Sequence, residues 1–290
     1  MSINLDTTCL LCHFERNIKT VQGLGSEEQA MEFARGLMEL YLNSPRNVGA
    51  TWYGPEVDGL LKRIYGLEGD RFLAEKQASN AFVLERMNRI RGKVQTAPDP
   101  LLAGLQFAIL GNYIDFSALR GEVSFEKLDG MMEDALKMEL DGETYRRFCA
   151  ELEKGKTLLY LTDNAGEIGF DRIFAEEIHR KYPHLQITFC VRGGPTMNDA
   201  TREDAEAVGI PFPVIDNGNL VAGTQLELLS NEARSALETA DVILAKGQAN
   251  VETLLDSGYN IYYAFLVKCV RFIQRYGKPK LTPMLLAERN

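Results

Sequence analysis

Five short apolar runs set the architecture of the second half of the chain: TLLYLT at 157–162, QITFCV at 186–191, PFPVID at 211–216, DVILAK at 241–246 and NIYYAFLVK at 260–268. Each is rich in β-branched, aromatic or leucine residues and apolar nearly throughout, so each predicts a strand buried on both faces. Helical patterns lie between them, such as FDRIFAEEIHRKY at 170–182, DATREDAEAVG at 199–209 and SNEARSALETA at 230–240. Strands alternating with helices predict an α/β fold with a doubly wound, mostly parallel sheet covered on both sides.

Before residue 150 no strand signal of that strength exists, and helical spacing takes over. Ser26 is placed to cap a helix whose Ala30, Phe33, Ala34, Leu37, Leu40 and Tyr41 share one face. A longer helix is expected within 69–95, and another begins at Pro100 and runs apolar to Gly111, with shorter ones around 56–66 and 124–138. The expected organisation is a helical N-terminal domain over 1–150 and a Rossmann-like α/β domain over 151–290, divided at the charged stretch CAELEKGKT, 149–157. No fixed-period repeat or low-complexity tract interrupts it.

With 41 acidic against 32 basic residues, a net charge of −9 gives no electrostatic footprint for a nucleic-acid backbone. No apolar run approaches the roughly 20 residues that span a bilayer, and the start MSINLDTTCLLCHFER lacks the basic and apolar regions of a signal peptide. Five cysteines, an odd number, do not form a secreted disulfide framework. A soluble protein of a reducing cytoplasm, with neither nucleic acid nor membrane as partner, is the expectation; the oligomeric state is not legible.

In an open parallel sheet, ligands bind outside the carboxyl ends of the strands, where the strand order reverses. The predicted strands are followed by Asp163, Asn164 and Gly166, then by RGGPTMND with Gly194, Asn198 and Asp199, then by Asp216 and Asn217, then by Lys246, Gly247 and Asn250, and last by Lys268. Carboxylate and amide oxygens suit a hard cation such as Mg²⁺, which takes one or two carboxylates and keeps several waters beside substrate phosphate oxygens. Asp163, Asn164 and Asp199 fit such a sparse shell, glycine N–H groups at Gly166 and Gly194 fit a phosphate cradle, and Lys246 fits the remaining negative charge. Taken singly, each has a plainer reading: Asp-Asn before Gly is turn chemistry, Asn198 or Asp199 caps a helix, and Lys246 is a solvated loop lysine. Their recurrence after successive strands favours a site. Glu167 either orients the ligands or favours a helix N-terminus.

Rival motifs are missing. The chain has no G-x-x-x-x-G-K-[ST], no G-x-G-x-x-G after a strand and no G-x-S-x-G, and its histidines, His13, His179 and His184, lie off the active edge. Cys9 and Cys12 in CLLC have metal or redox spacing, but without a second such pair two cysteines on a buried helical turn is the simpler reading, with zinc or redox chemistry as the alternative. In GNYID, Asn112 and Asp115 sit three apart on one face of a helical turn and can lean into the crevice, although Gly-Asn also ends helices.

LTDNAGEIGFD, RGGPTMNDAT, KGQANVETL and DPLLAGLQFAILGNYID, in this arrangement with CLLC near the start, resemble the metal-dependent damage-control phosphatases, long catalogued only as a domain of unknown function. The likeness covers nearly the whole chain, and small stand-alone archaeal and bacterial members look most similar. It implies a helical part, an α/β/α part and hydrolysis of phosphate monoesters with a divalent cation, Mg²⁺, Mn²⁺, Co²⁺ or Ni²⁺. The implied ligands are Asp163, Asn164 and Asp199, and the implied phosphate-side lysine is Lys246. Substrates would be sugar phosphates or damaged phosphorylated metabolites. Ala249 stands where relatives often have glycine, which loosens the phosphate-loop inference. Asp163 is expected as a ligand, with a nucleophilic role left open, because the second acid that aspartate-nucleophile phosphatases use two residues later is here Ala165. A human relative proposed as a carboxyl methyltransferase supplies a rival, S-adenosylmethionine-dependent activity; a non-catalytic metal-binding protein is a third.

Overall fold

The computed structural model describes residues 3–119 and 122–288. Its centre is a six-stranded sheet of β1 (Thr157–Leu161), β2 (Gln186–Val191), β3 (Val214–Asp216), β4 (Val242–Lys246), β5 (Ile261–Leu266) and β6 (Pro283–Ala287). The order is β3-β2-β1-β4-β5-β6, all parallel except β6, which pairs antiparallel with β5. All five expected strands are present. The sixth was not anticipated: PMLLA is short and opens on a proline, which belongs at an edge.

The chain builds outward from β1 through β2 to β3, then returns to place β4 on the other side of β1. That reversal is the switch point, and it lies between β1 and β4, whose ends align with Leu161 opposite Ala245. Between the strands run α9 (Glu167–Lys181), α10 (Arg202–Ala207), α11 (Asn231–Thr239) and α12 (Gly247–Leu254), and α13 (Val270–Tyr276) precedes β6.

Among the described residues eight α-helices precede the sheet: α1 (Thr7–Val21), α2 (Glu27–Asn43), α3 (Gly54–Tyr65), α4 (Leu73–Gln95), α5 (Pro100–Gly111), α6 (Phe116–Leu119), α7 (Phe125–Asp134) and α8 (Gly142–Lys154). Ser26 caps α2 in a reciprocal box with Gln29, and Pro100 opens α5 behind the N-cap Asp99. Three of these helices, α1, α6 and α8, escaped the sequence reading. α8 runs through the charged stretch at 149–154 and buries only Phe148 and Leu152, a stripe too narrow to stand out. α1 starts at the N-cap Asp6 and buries only His13, Asn17 and Val21.

Period-two alternation assigns the sheet's two faces. Leu158, Tyr160, Val242 and Leu244 face one core with α4, α5, α7, α8 and α9, so a single hydrophobic cluster runs from Phe82 to Leu285 across residue 150. Leu159, Leu161, Ile243 and Ala245 face the other, with α11, α12, α13 and Ile3. A third, smaller cluster joins α1, α2 and α3 through Phe33, Leu37, Tyr53 and Leu61. α5 is apolar all round because it is buried all round; Gly104 and Gly111 let Phe174 and Phe170 of α9 approach it closely. Among the described residues no helix is long and apolar enough to cross a membrane.

Candidate active site

The loops leaving β1 and β2 are stitched together. Ala165 donates its N–H to the Asn198 carbonyl at 2.9 Å, Ala200 donates to the Asp163 carbonyl at 2.8 Å, and Asn164 forms an isolated antiparallel bridge with Asp199. This pairing brings DNA of the first loop against MND of the second. β4 then delivers Gly247 beside them: its φ is +76°, and a Cβ built on it would lie 1.9 Å from Asp163 Oδ2. Any side chain here collides with the carboxylate, and the left-handed backbone disfavours one as well.

Asp163 is held from two sides. Asn112, at the end of α5, donates through Nδ2 to Asp163 Oδ2 at 2.9 Å and to both Glu167 oxygens, while its own Oδ1 accepts from the Leu266 N–H at 3.1 Å. Asn164 donates through Nδ2 to Asp163 Oδ2 and to Glu167 Oε2, each at 2.8 Å. Asp199 accepts from Arg192 Nε at 2.6 Å, and that guanidinium is fully buried and also reaches the Thr162 carbonyl. Asn198 donates to Asn164 Oδ1 at 2.8 Å, and its own side-chain oxygen is buried without a partner.

These groups floor a cleft of about 400 Å³ into which Asp115, Asp163, Asn164, Asp199 and Lys268 converge. Lys268 Nζ bonds Asp115 Oδ2 at 2.6 Å. Burial, followed by the charges of Glu167 and Asp199, pushes the Asp163 carboxyl well above the usual carboxylate range. Burial also raises Asp199, against the pull of Arg192. Crowded acids that resist ionisation are stabilised as carboxylates by added positive charge, which is what a cation supplies. Among the described residues no three His, Cys, Asp or Glu side chains form a ready cage. The donor set is two carboxylates with amide oxygens, which fits a cation that keeps most of its waters.

Of the residues expected at the site, Asp163, Asn164, Asp199, Asn112 and Asp115 come together at the floor. Four others do not face the cleft, and their places correct the sequence reading. Lys246 points under the floor, where its ammonium bonds the Ala108 carbonyl at 2.8 Å and Glu167 and Asp171 at 2.6 Å each. Gly166 donates its N–H to Asn80 Oδ1 of α4 at 2.7 Å, so it anchors the loop and is no phosphate donor. Gly194 abuts Leu220, away from the floor. Asn250 braces the β1 and β4 ends, donating to the Thr162 and Lys246 carbonyls and accepting from Thr224. The cysteine pair does occupy a helical turn, in α1, yet that turn is not buried: Cys12 is exposed, and Cys9, Cys12 and Cys269 all line the cleft.

Sequence reasoning assigned no role to Lys268 or Arg192, offered Asn198 only as a helix cap and left Glu167 open. Glu167 is fully buried and accepts from Asn112, Asn164 and Lys246, so it orients the amides that hold Asp163. An acid two residues into an otherwise apolar segment was the available signal. Gly247→Ala is expected to lower turnover about a hundredfold while leaving the fold intact, because a displacement of roughly 1 Å at a reacting group costs that much; steady-state kinetics beside a melting curve checks it.

A family model described as the damage-control phosphatase ARMT1-like domain matches residues 5–281. An uncharacterized protein of Methanocaldococcus jannaschii is 31% identical over 95% of this chain and 93% of its own length. A damage-control phosphatase of Pyrococcus horikoshii is 36% identical over 61% of each chain, and one of Archaeoglobus fulgidus is 33% identical over 72% of this chain and 73% of its own. Among solved structures, a DUF89 family protein from Pyrococcus horikoshii superposes with a TM-score of 0.82 at 27% identity, covering 99% of both chains.

Proposed function

The chain belongs to the damage-control phosphatase ARMT1-like family, and from that premise we propose that it hydrolyses phosphate monoesters of small metabolites, sugar phosphates or damaged phosphorylated compounds, with a divalent cation. The observation that carries this reading is the convergence of Asp163, Asn164 and Asp199 at the switch point of the sheet, in a cleft shared with Lys268. Asp163, Asn164 and Asp199 would hold the cation, Mg²⁺, Mn²⁺, Co²⁺ or Ni²⁺. When bound, it supplies positive charge against the phosphate oxygens as negative charge develops on them.

The chain's own groups do the rest. Asn112 and Asn164 fix the Asp163 carboxylate, Arg192 fixes Asp199, and Asp115 holds the Lys268 ammonium where it can donate to a phosphate oxygen. Two amide donors on one Asp163 oxygen draw charge away from it, which suits a positioned ligand better than an attacking nucleophile. Methyl transfer fits less well: the floor is acidic, and the Gly166 N–H that a cofactor would need is already taken by Asn80.

The test is phosphate release from a panel of phosphorylated metabolites and an aryl phosphate, each with Mg²⁺, Mn²⁺, Co²⁺ and Ni²⁺ and with a chelator. Turnover of monoesters that needs a cation is the expected result. Hydrolysis undiminished by the chelator overturns the cation assignment, and S-adenosylmethionine binding without phosphate release overturns the reaction.

A further inference from the structure

The cleft extends beyond its acidic floor, and α12 measures the distance. Gly247, the first residue of α12, touches Asp163, and Glu252, five residues on, lines the same cleft. At 1.5 Å per residue the two are about 7.5 Å apart along the helix axis, the reach of a leaving group of a few carbons. Facing this outer end are Arg16 on α1 and Arg271 on α13.

That end is built firmly. Arg271 Nη1 bonds the Asn4 carbonyl and lies 3.3 Å from Cys9 Sγ, and its Nε lies 3.2 Å from Asp6 Oδ2, the N-cap of α1. Ile3 donates its N–H to the Glu252 carbonyl at 2.7 Å and buries its side chain in the core beneath α12 and α13. The segment ahead of α1 is thereby strapped across α12 and α13, so α1 roofs the cleft and Arg16 is carried with it. Both guanidinium groups act electrostatically on Glu252, whose carboxyl burial pushes up to about 7 against their pull.

We propose that Arg16 and Glu252, held in place by Arg271, form the subsite for the leaving group of the phosphate ester, and that Glu252 selects an uncharged, hydroxyl-bearing leaving group over one carrying a second phosphate. Guanidinium donors beside a carboxyl acceptor match hydroxyls, which both accept and donate hydrogen bonds. A second phosphate would gain little from Arg271, whose charge is already matched by Asp6, and above about pH 7 it would meet the Glu252 carboxylate beside Arg16; like charges brought together at close range are strongly rejected. Arg16 and Glu252 are specificity-determining contacts; Arg271, through Asn4, Asp6 and Cys9, is the positioning residue that holds α1 over them. This rests on the phosphatase reading above and adds which esters that site prefers.

The experiment compares kcat/KM for a sugar monophosphate and for the corresponding bisphosphate in wild type, Glu252→Gln and Arg271→Lys, with Mg²⁺ or Mn²⁺ present. Glu252→Gln preserves shape and removes the charge, so the monophosphate-to-bisphosphate ratio is expected to fall on the order of tenfold. Arg271→Lys is expected to raise KM for the monophosphate severalfold with kcat little changed, because it loosens the roof and leaves the floor untouched. A ratio in Glu252→Gln equal to that of wild type overturns the inference, as does an equal loss on both esters, the mark of a merely structural glutamate. Wild type that turns over neither ester overturns the phosphatase reading itself, an outcome distinct from turnover without discrimination.

Discussion

Asp163→Ala is expected to lower kcat/KM for cation-dependent phosphate release about a hundred- to a thousandfold, and to do so without lowering the melting temperature. The loss follows from sparseness: with two carboxylates and amide oxygens as the donor set, no spare charged ligand takes over, and one well-placed charged group in a water-poor site is commonly worth two to three orders of magnitude. The unchanged stability follows from the electrostatics. Asp163 is buried among Glu167, Asp199 and Asp115, and its carboxyl is raised by burial and by those charges, so the native fold holds it at a cost. Removing it relieves that repulsion, and Asn112 and Asn164 keep Glu167 as acceptor. Activity assays beside thermal melts without added cation separate the two effects. Substantial residual turnover would move the ligand assignment elsewhere, and a melting point several degrees lower would make Asp163 a structural residue.

The same balance explains which parts of the site were legible. Strand ends, glycines and carboxylates read directly because residue type and position after a buried strand together restrict their use. Asp163, Asn164 and Asp199 therefore came out together. The two lysines were confused because composition does not report direction. Lys246 is the last residue of β4 and shares parity with Val242 and Leu244, which face the core under α5 and α9, so its side chain follows them inward. Lys268 lies beyond the end of β5, where strand parity no longer applies, and reaches the cleft. Applying period two to the last strand residue would have separated them. The glycines failed for another reason: Gly166 needs its positive φ and lack of a side chain to lie against Ser79 of α4 and to donate to Asn80, 86 residues away in sequence, which no local pattern encodes. The roof was missed because α1 exposes most of its surface and buries a histidine and an asparagine where an apolar stripe would be expected.

Lys246→Met carries the largest expected effect on stability, a loss of about 3–5 kcal/mol, and its pH dependence identifies the cause. Lys246, Glu167 and Asp171 are each fully buried, and one ammonium serves both acids at 2.6 Å. Although burial favours its neutral form, Asp171 and Glu167 keep the lysine above its usual range. Asp171 is pushed up to about 7 by burial, against the pull of Lys246. Methionine fills similar volume but leaves two buried carboxylates without their cation, the situation in which breaking a buried pair costs several kcal/mol. For a domain of this size that corresponds to a fall in melting temperature of roughly 10 °C. An acid whose folded pKa lies above its unfolded value makes the folded state bind more protons, so stability falls as pH rises above the unfolded pKa and recovers as pH drops through the folded one. Without Lys246 the folded value for Asp171 rises further, so the deficit of the variant relative to wild type should be largest at alkaline pH, shrink as pH falls toward about 7 and level off below it. Denaturant melts across that range measure it. A deficit independent of pH would mean that lost packing, not stranded charge, is what Lys246 prevents.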